Sequence, residues 1–159
     1  MSNIEDWGNT TWYLFHTIAE KITDEIFNQE RNNIISIIQQ ICNLLPCPDC
    51  AQHATEYLNK VNFNLIKDKD SLKSFLFDFH NIVNKRTNKI IFTRDELNNK
   101  YKTFDLKRII HYFFIYFFAK TNNSKMYLYS FHRNKIKIKL YRYLNYLEVK
   151  LSQNDTNNQ

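Results

Sequence analysis

Glycine and proline are almost absent from this chain, which has one Gly and two Pro in 159 residues. Sandwiches and barrels of β-strands need many tight turns, and such turns depend on these two residues, so the shortage argues against both architectures. Helices joined by polar loops need fewer turns of that kind. The composition therefore predicts an all-α fold, and the length suffices for one domain with a buried core.

Cysteine and long apolar runs are also scarce. Three cysteines cannot form the disulfide framework of a small secreted protein. The longest apolar run, residues 109–119, is interrupted by His111 and falls short of the ~20 residues that span a bilayer. No apolar signal segment precedes Trp7. We therefore expect a soluble intracellular protein with no membrane partner.

Negative charge is in deficit, since 22 Lys and Arg face 16 Asp and Glu, which gives a net charge of +6. The basic excess lies beyond residue 100, where Lys and Arg alternate with aromatic residues. We predict that this tail is a solvated helical extension that packs its aromatics on the bundle or on a dimer mate, with a disordered end over residues 152–159. Binding of nucleic acid or of an acidic surface is the less favoured alternative.

Apolar residues recur at three- and four-residue steps in the first 62 residues, which is typical of amphipathic helices. A first helix is predicted from a cap at Thr10 or Thr11 to Phe27. A polar connection over residues 28–33 and a second helix over residues 34–45 follow. A third helix is predicted from Pro48 to about residue 61.

A fourth helix is the clearest, with a cap at Asp70 or Ser71 and a buried apolar stripe made of Leu72, Phe75, Leu76, Phe79, Ile82 and Val83. Thr93 and Glu96 form a capping box for a short fifth helix that ends near residues 101–103. A turn is predicted at residues 121–124.

Two of the three cysteines lie between prolines in Pro46-Cys47-Pro48-Asp49-Cys50. Pro48 suits the first turn of a helix, so Cys47 is predicted at a helix N-terminus. The partial positive charge of that terminus stabilises a thiolate, and one cysteine of the pair should have a lowered pKa. The pair is therefore predicted to be a redox centre that exchanges with outside thiols and disulfides.

Zinc binding is an alternative for the same segment, because Cys42, Cys47, Cys50 and His53 offer four ligands of the right type. Such a chain would be a non-enzymatic helical module that contacts nucleic acid through its basic tail. Cys42 falls in the apolar stripe of the second helix, which counts against it. Two ordinary buried cysteines and a thioredoxin-like fold, which needs strands, are further alternatives.

A dithiol needs an electron acceptor for net disulfide production, and several polar clusters suit one. Trp12 and His16 are four residues apart and share a helix face. His80, Asn81 and Asn84 project together from the fourth helix. With Arg86 and Lys89, these groups would suit a planar aromatic cofactor with a phosphate tail, because rings stack, amides hydrogen-bond and cations pair with phosphate.

Three motifs resemble the FAD-linked sulfhydryl oxidases of the Erv/ALR family: GNTTWYLFH at residues 8–16, CPDCAQH at 47–53, and HNIVN at 80–84 with Lys89 and Phe92 after it. The resemblance covers about residues 5–102. It implies a four-helix bundle with a short fifth helix around FAD over residues 1–104, followed by a helical extension over 105–159. It also implies a thiol oxidase in which the cysteine pair reduces FAD and oxygen takes the electrons to give hydrogen peroxide.

The resemblance also implies roles by position. Cys50 would lie against the flavin, and Cys47 would exchange with protein dithiols, which arrive directly or through a thioredoxin-like partner. The residues expected around FAD are Gly8, Thr11, Trp12, His16, His53, His80, Asn81, Val83, Asn84, Arg86, Lys89 and Tyr101. A homodimer through the first helices is expected. Small members from large cytoplasmic DNA viruses look similar, which implies a location in the infected cytoplasm or the virion.

The chain departs from the family pattern in three ways. Phe77 and Arg94 stand where members often have a structural disulfide, so aromatic packing is expected to hold the fifth helix. Tyr101 stands where many members have Trp. A second, shuttling cysteine pair is absent. Cys42 is expected to be a buried structural thiol, with a shuttle or an intersubunit disulfide as the less favoured alternatives.

Overall fold

The computed structural model describes residues 4–119 and 127–157, and every regular element within them is a helix. The helices are α1 (Ile4–Lys21), α2 (Asp24–Asn43), α3 (Pro48–Leu58), α4 (Lys69–Arg86), α5 (Arg94–Tyr101), α6 (Leu106–Phe117) and α7 (Tyr127–Asn157), with a 3-10 turn at Phe63–Leu65. The turn predicted at residues 121–124 lies outside the described residues. The all-α prediction is confirmed.

The first helix is the central element of the molecule. It packs on α4, α5 and α6, while α2 packs on α3 and α6 packs on α7. The helices α1 to α4 form the predicted bundle, with α5 as the short fifth helix. Leucines and phenylalanines of α6 and α7 belong to the same continuous core as the bundle side chains. The extension is therefore packed on the bundle, and a domain boundary at residue 104 stays a prediction.

The predicted boundary between the first two helices is wrong. The chain breaks at Thr23, whose extended backbone (φ −95°, ψ 161°) and hydroxyl, which accepts a hydrogen bond from the Ile26 amide, cap α2. Residues 28–33, predicted as a connection, lie inside α2. Apolar spacing alone could not locate the break, because Ile22 and Ile26 are both buried and continue the stripe across it.

Other helix ends also differ from the predictions: α1 begins at Ile4, before the predicted cap, and α2 and α3 end earlier than predicted, at Asn43 and Leu58. The cap of α4 is Asp68, which forms a reciprocal capping box with Ser71. Residues 152–157, predicted to be disordered, are the last turns of α7. The capping box of Thr93 and Glu96 at the start of α5 is confirmed. Within the described residues, none of the helices is both long enough and apolar enough to cross a membrane.

A cation–π contact joins α5 to α4, and aromatic packing holds α5 on α1, where Tyr101 stacks on His16. The guanidinium of Arg94 lies 5.6 Å from the centre of the Phe77 ring, and its Nη2 donates to Ser74 Oγ at 2.8 Å. The two positions at which the resemblance implied a missing disulfide therefore meet in space, where a cation–π contact and a hydrogen bond join the helices.

The second helix anchors α7 through one carboxylate. Glu30 is buried and accepts hydrogen bonds from the hydroxyls of Tyr143 and Tyr146 at 2.8 and 2.9 Å and from Lys150 Nζ at 3.1 Å. Burial alone would raise the pKa of Glu30, but these donors and Asn33 lower it to about 2. The carboxylate therefore stays charged and fixes the register of α7 on α2.

Candidate functional site: a dithiol beside an aromatic cavity

The cysteine pair occupies the predicted position at the start of α3. Cys47 is the N-cap (φ −132°, ψ 110°), and its Sγ accepts a hydrogen bond from the Cys50 amide at 3.3 Å. Pro48 follows in the first turn, where its missing N–H leaves no helical hydrogen bond unmade. Both cysteines are half-buried thiols, whereas Cys42 is buried as predicted.

The lowered pKa predicted for one cysteine of the pair is not found at Cys50. Burial raises the pKa of the Cys50 thiol to about 11, and the hydrogen bond with Cys47 and the charge of Cys47 act in the same direction. The nearby guanidinium of Arg86 opposes this rise. Desolvation therefore outweighs the helix terminus at this sulfur.

A cavity of about 660 Å³ lies between α1, α3 and α4 and is bordered by residues 87–92 and the end of α5. This volume falls in the range of roughly 300–1,000 Å³ that is usual for small-molecule and cofactor sites. Cys50 lines the cavity, and Cys47 does not. The two sulfurs thus differ in position, with only the second one facing the space a ligand would fill.

Ten of the twelve side chains expected around a cofactor line this cavity: Gly8, Thr11, Trp12, His53, His80, Val83, Asn84, Arg86, Lys89 and Tyr101. His16 and Asn81 do not line it. Ile82, which was predicted in the buried stripe of α4, is 48% exposed and lines the cavity instead.

His16 lies behind His80 and holds its ring in place. Their Nε2 and Nδ1 atoms are 2.9 Å apart, and Trp12 stacks on the His80 ring with 4.1 Å between ring centres and 7° between planes. Burial lowers the pKa of both histidines to about 3, with Lys100 adding to the effect. The pair is therefore neutral at physiological pH, and one shared proton joins the rings.

Asn81 acts on the backbone rather than on the cavity. Its side chain donates to the Phe92 carbonyl at 2.9 Å and accepts from the Phe92 amide at 3.0 Å. Asn84 Nδ2 donates to the Ile90 carbonyl at 2.8 Å. Asn88, with φ 56°, turns the chain back at the end of α4. Together these residues hold the segment that carries Lys89 against the cavity.

Lys100 is a cavity residue that the sequence interpretation missed. Its ammonium lies 5.1–5.5 Å from the ring centres of Tyr13, Phe92 and Tyr101, and burial lowers its pKa. Lys60 and Tyr57, at the end of α3, also line the cavity. Lys100 is 20 positions after His80, the first residue of the HNIVN motif. Its place next to Tyr101 was therefore the only signal in the sequence that could have identified it.

The ligands of the zinc alternative are not gathered. Among the described residues, no group of three or more His, Cys, Asp or Glu lies close enough together to hold a metal ion. His53 is exposed, while Cys42 is buried.

Comparison with known proteins places this site in a family. The Erv1/Alr family model matches residues 9–102. A putative FAD-linked sulfhydryl oxidase of Invertebrate iridescent virus 3 is 36% identical over 84 residues, which are 52% of this chain and 57% of the relative. The FAD-linked sulfhydryl oxidase ERV1 of Oryza sativa subsp. japonica is 34% identical over 101 residues, 64% of this chain and 52% of the relative.

A third relative is matched over most of its length. The FAD-linked sulfhydryl oxidase of African swine fever virus (isolate Pig/Kenya/KEN-50/1950) is 36% identical over 103 residues, 65% of this chain and 86% of the relative. The first two relatives, by contrast, are spanned over just above half of their length. The crystal structure of the yeast Erv1 core has the same fold, with a TM-score of 0.58, 22% identity and coverage of 66% of this chain and 89% of that one.

Proposed function

The chain belongs to the Erv1/Alr family, and on this premise we propose that it is an FAD-linked thiol oxidase that forms disulfides in protein dithiols. The observation that carries the proposal is the position of Cys50, the second cysteine of the pair, in the wall of an aromatic cavity with cations around it. The matched relatives carry the name FAD-linked sulfhydryl oxidase, which supports an oxidase and not a zinc-binding module.

The residues of the cavity fit FAD. Lys60, Arg86, Lys89 and Lys100 are available to a pyrophosphate, and the rings of Trp12 and Tyr57 border the space for flat ring systems. Within the described residues, the buried hydroxyl of Tyr101 has no hydrogen-bond partner. Such an orphaned group costs about 1–3 kcal/mol, so a ligand that accepts its proton would stabilise the site.

When bound, FAD would supply an acceptor for two electrons, which oxygen would take up to give hydrogen peroxide. The chain's own residues deliver those electrons. A substrate thiolate attacks Cys47 Sγ of the oxidised pair, and the Cys50 sulfur leaves as a thiolate. The second substrate thiol then breaks the mixed disulfide and releases Cys47, so the substrate departs oxidised and the pair holds two electrons. Arg86 stabilises the Cys50 thiolate that burial disfavours.

Protein dithiols are the proposed substrates, and they meet Cys47 directly or through a thioredoxin-like protein. A homodimer through the first helices is part of the same proposal. Because α6 packs along α1, that contact has to use the remaining surface of α1 and α2. The viral relatives support an origin in a large cytoplasmic DNA virus, with action in the infected cytoplasm or the virion.

An absorption spectrum combined with an oxygen electrode tests the proposal. The purified chain should show a bound flavin spectrum, consume oxygen when given a dithiol, and release hydrogen peroxide. Metal analysis of the same sample separates the oxidase from a zinc protein. A folded, colourless preparation that stays inactive after FAD is added contradicts the proposed function.

A further inference from the structure

The two parts of the chain carry opposite charge. Residues 1–105 contain 12 Lys and Arg and 14 Asp and Glu, a net charge of −2, whereas residues 106–159 contain 10 and 2, a net charge of +8. Residues 106–147 contain nine cations and no Asp or Glu. An asymmetry of this size indicates a polyanionic partner for the extension rather than for the proposed oxidase part.

The surface of α7 carries exposed apolar side chains. Leu140, Leu144 and Leu147 face the core, whereas four apolar side chains are exposed: Phe131 (60% exposed), Ile138 (61%), Tyr141 (55%) and Val149 (51%). Tyr141 lies on the side toward α6, with its ring 5.3 Å from that of Phe114. Because an α-helix advances about 100° per residue, Phe131, Ile138 and Val149 fall on nearly one line along the helix. We call these four residues the apolar ridge.

Cations stand on both sides of the apolar ridge. Lys135, Lys139 and Arg142 follow it along one side, and Lys137 lies on the other side, toward α6, with its ammonium 5.5 Å from the centre of the Phe118 ring. All four side chains are exposed. The Lys135 ammonium lies 5.0 Å from the centre of the Phe131 ring. Their alkyl stems can therefore extend the apolar surface while the charged ends reach outward, as in helices that lie in a membrane interface.

From this arrangement we propose that α7 docks the protein on the surface of an anionic lipid bilayer. The apolar ridge enters the boundary between headgroups and acyl chains, and the four flanking cations pair with lipid phosphates and carboxylates. Nucleic acid offers stacking faces and phosphates but no apolar phase for Ile138 and Val149. A second copy of the chain would bring like charges together along the ridge. The proposal replaces the sequence-based expectation that the protein has no membrane partner.

Vesicle sedimentation with the FAD-loaded full chain tests the docking. The protein should sediment with vesicles that contain about a third phosphatidylserine, remain in solution with pure phosphatidylcholine, and dissociate in high salt. Each cation near an anionic surface strengthens binding roughly fivefold. Changing Lys135, Lys137 and Lys139 to Gln should therefore weaken binding roughly a hundredfold. The matched control changes Lys67, Lys85 and Lys102, which are also exposed, to Gln and should bind as the wild type does.

Two single-residue variants distinguish insertion of the apolar ridge into the bilayer from simple charge attraction. Ile138→Asp should weaken vesicle binding at least tenfold, whereas Leu65→Asp, at a position that is 66% exposed in the 3-10 turn, should not. Circular dichroism and the flavin spectrum confirm that each variant is folded and loaded. Equal sedimentation with neutral and anionic vesicles, or equal binding by the two Asp variants, overturns the proposal. The proposal is also overturned if the protein binds a DNA duplex, measured by fluorescence anisotropy, more tightly than anionic vesicles, and Ile138→Asp leaves the DNA affinity unchanged.

Discussion

Lys100, His80, Cys50 and Tyr101 line one cavity, and burial shifts the pKa of each toward the uncharged form. The pKa of Lys100 and His80 is lowered, and that of Cys50 and Tyr101 is raised. Desolvation is the largest cause of all four pKa shifts. An anionic ligand would raise the pKa of Lys100 again, because the phosphates of the ligand would pair with the ammonium.

The first residue-scale prediction concerns Lys100. Lys100→Met should weaken FAD binding about tenfold or more, because it removes a charge-assisted hydrogen bond while keeping the apolar stem. Lys102→Met is the matched control, since Lys102 is exposed and does not line the cavity. Fluorescence titration of the flavin measures both affinities, and similar dissociation constants for the two variants would contradict the role given to Lys100.

The second prediction concerns the His16 and His80 pair. Burial lowers each pKa from 6.5 to about 3, so between these values the unfolded state binds more protons than the folded state. Stability should therefore fall as the pH drops below 6.5, by up to about 1.4 kcal/mol per pH unit for each histidine. Urea unfolding at a series of pH values measures the slope.

A double variant, His16→Gln with His80→Gln, should flatten that slope. His132→Asn changes an exposed histidine and should leave it unaltered. A wild-type unfolding free energy that is constant from neutral pH to about pH 5 would show that the histidines are not neutral in the folded protein.

At the scale of helices, contacts between distant segments explain what the sequence could and could not predict. Spacing and capping rules located α3, α4 and α5 because their signals are local: Pro48 after the N-cap, and Thr93 with Glu96. The stripe across Ile22 and Ile26 hid the break at Thr23, since both sides bury the same face. The anchor of α7 was not predictable, because Glu30 is 113 residues from Tyr143.

The contact of Arg94 with Phe77 should help to hold α5 on α4. Arg94→Ala should lower the free energy of unfolding by about 1 kcal/mol, because a cation–π contact and a hydrogen bond to Ser74 are lost. Phe77→Leu removes the ring that the Arg94 guanidinium contacts and keeps an apolar side chain at that position. In a double-mutant cycle measured by urea unfolding, the two changes should couple by about 0.5–1 kcal/mol. Additive effects would mean that the ring and the guanidinium do not interact.

Glu30→Gln should loosen α7. The change leaves Lys150 and the two tyrosine hydroxyls with a neutral partner, and we expect a loss of roughly 3 kcal/mol at neutral pH. Because the folded pKa is depressed, this contribution is complete above pH 4.5 and disappears as the pH falls toward about 2. The stability difference from the wild type should shrink in that window.

Glu25→Gln, an exposed change on the same helix, is the control and should be almost neutral. Hydrogen exchange of the α7 amides reports directly on the anchor. Unchanged α7 protection in Glu30→Gln would show that apolar packing alone holds the extension.

At the scale of the whole molecule, the pair of Cys47 and Cys50 lies at the start of α3, beside a cofactor-sized cavity. Of the two side chains, only that of Cys50 lines this cavity. The family resemblance supplied ten residues that line the cavity. His16 and Asn81, also expected around FAD, do not line it: the first holds the His80 ring, and the second holds the backbone at Phe92. Lys100 was missed because α5 carries it in from beyond the motifs.

The most direct measurement is anaerobic reduction of the bound flavin by a dithiol in a stopped-flow instrument. The account predicts that the visible flavin band of the wild type bleaches rapidly and that Cys50→Ser, still loaded with FAD, bleaches at least about a hundredfold more slowly. Cys42→Ser should keep the wild-type rate, because burial raises the pKa of that thiol to about 12 and keeps it unreactive. Equal bleaching rates in the wild type and Cys50→Ser would contradict the central claim that electrons reach the flavin through Cys50.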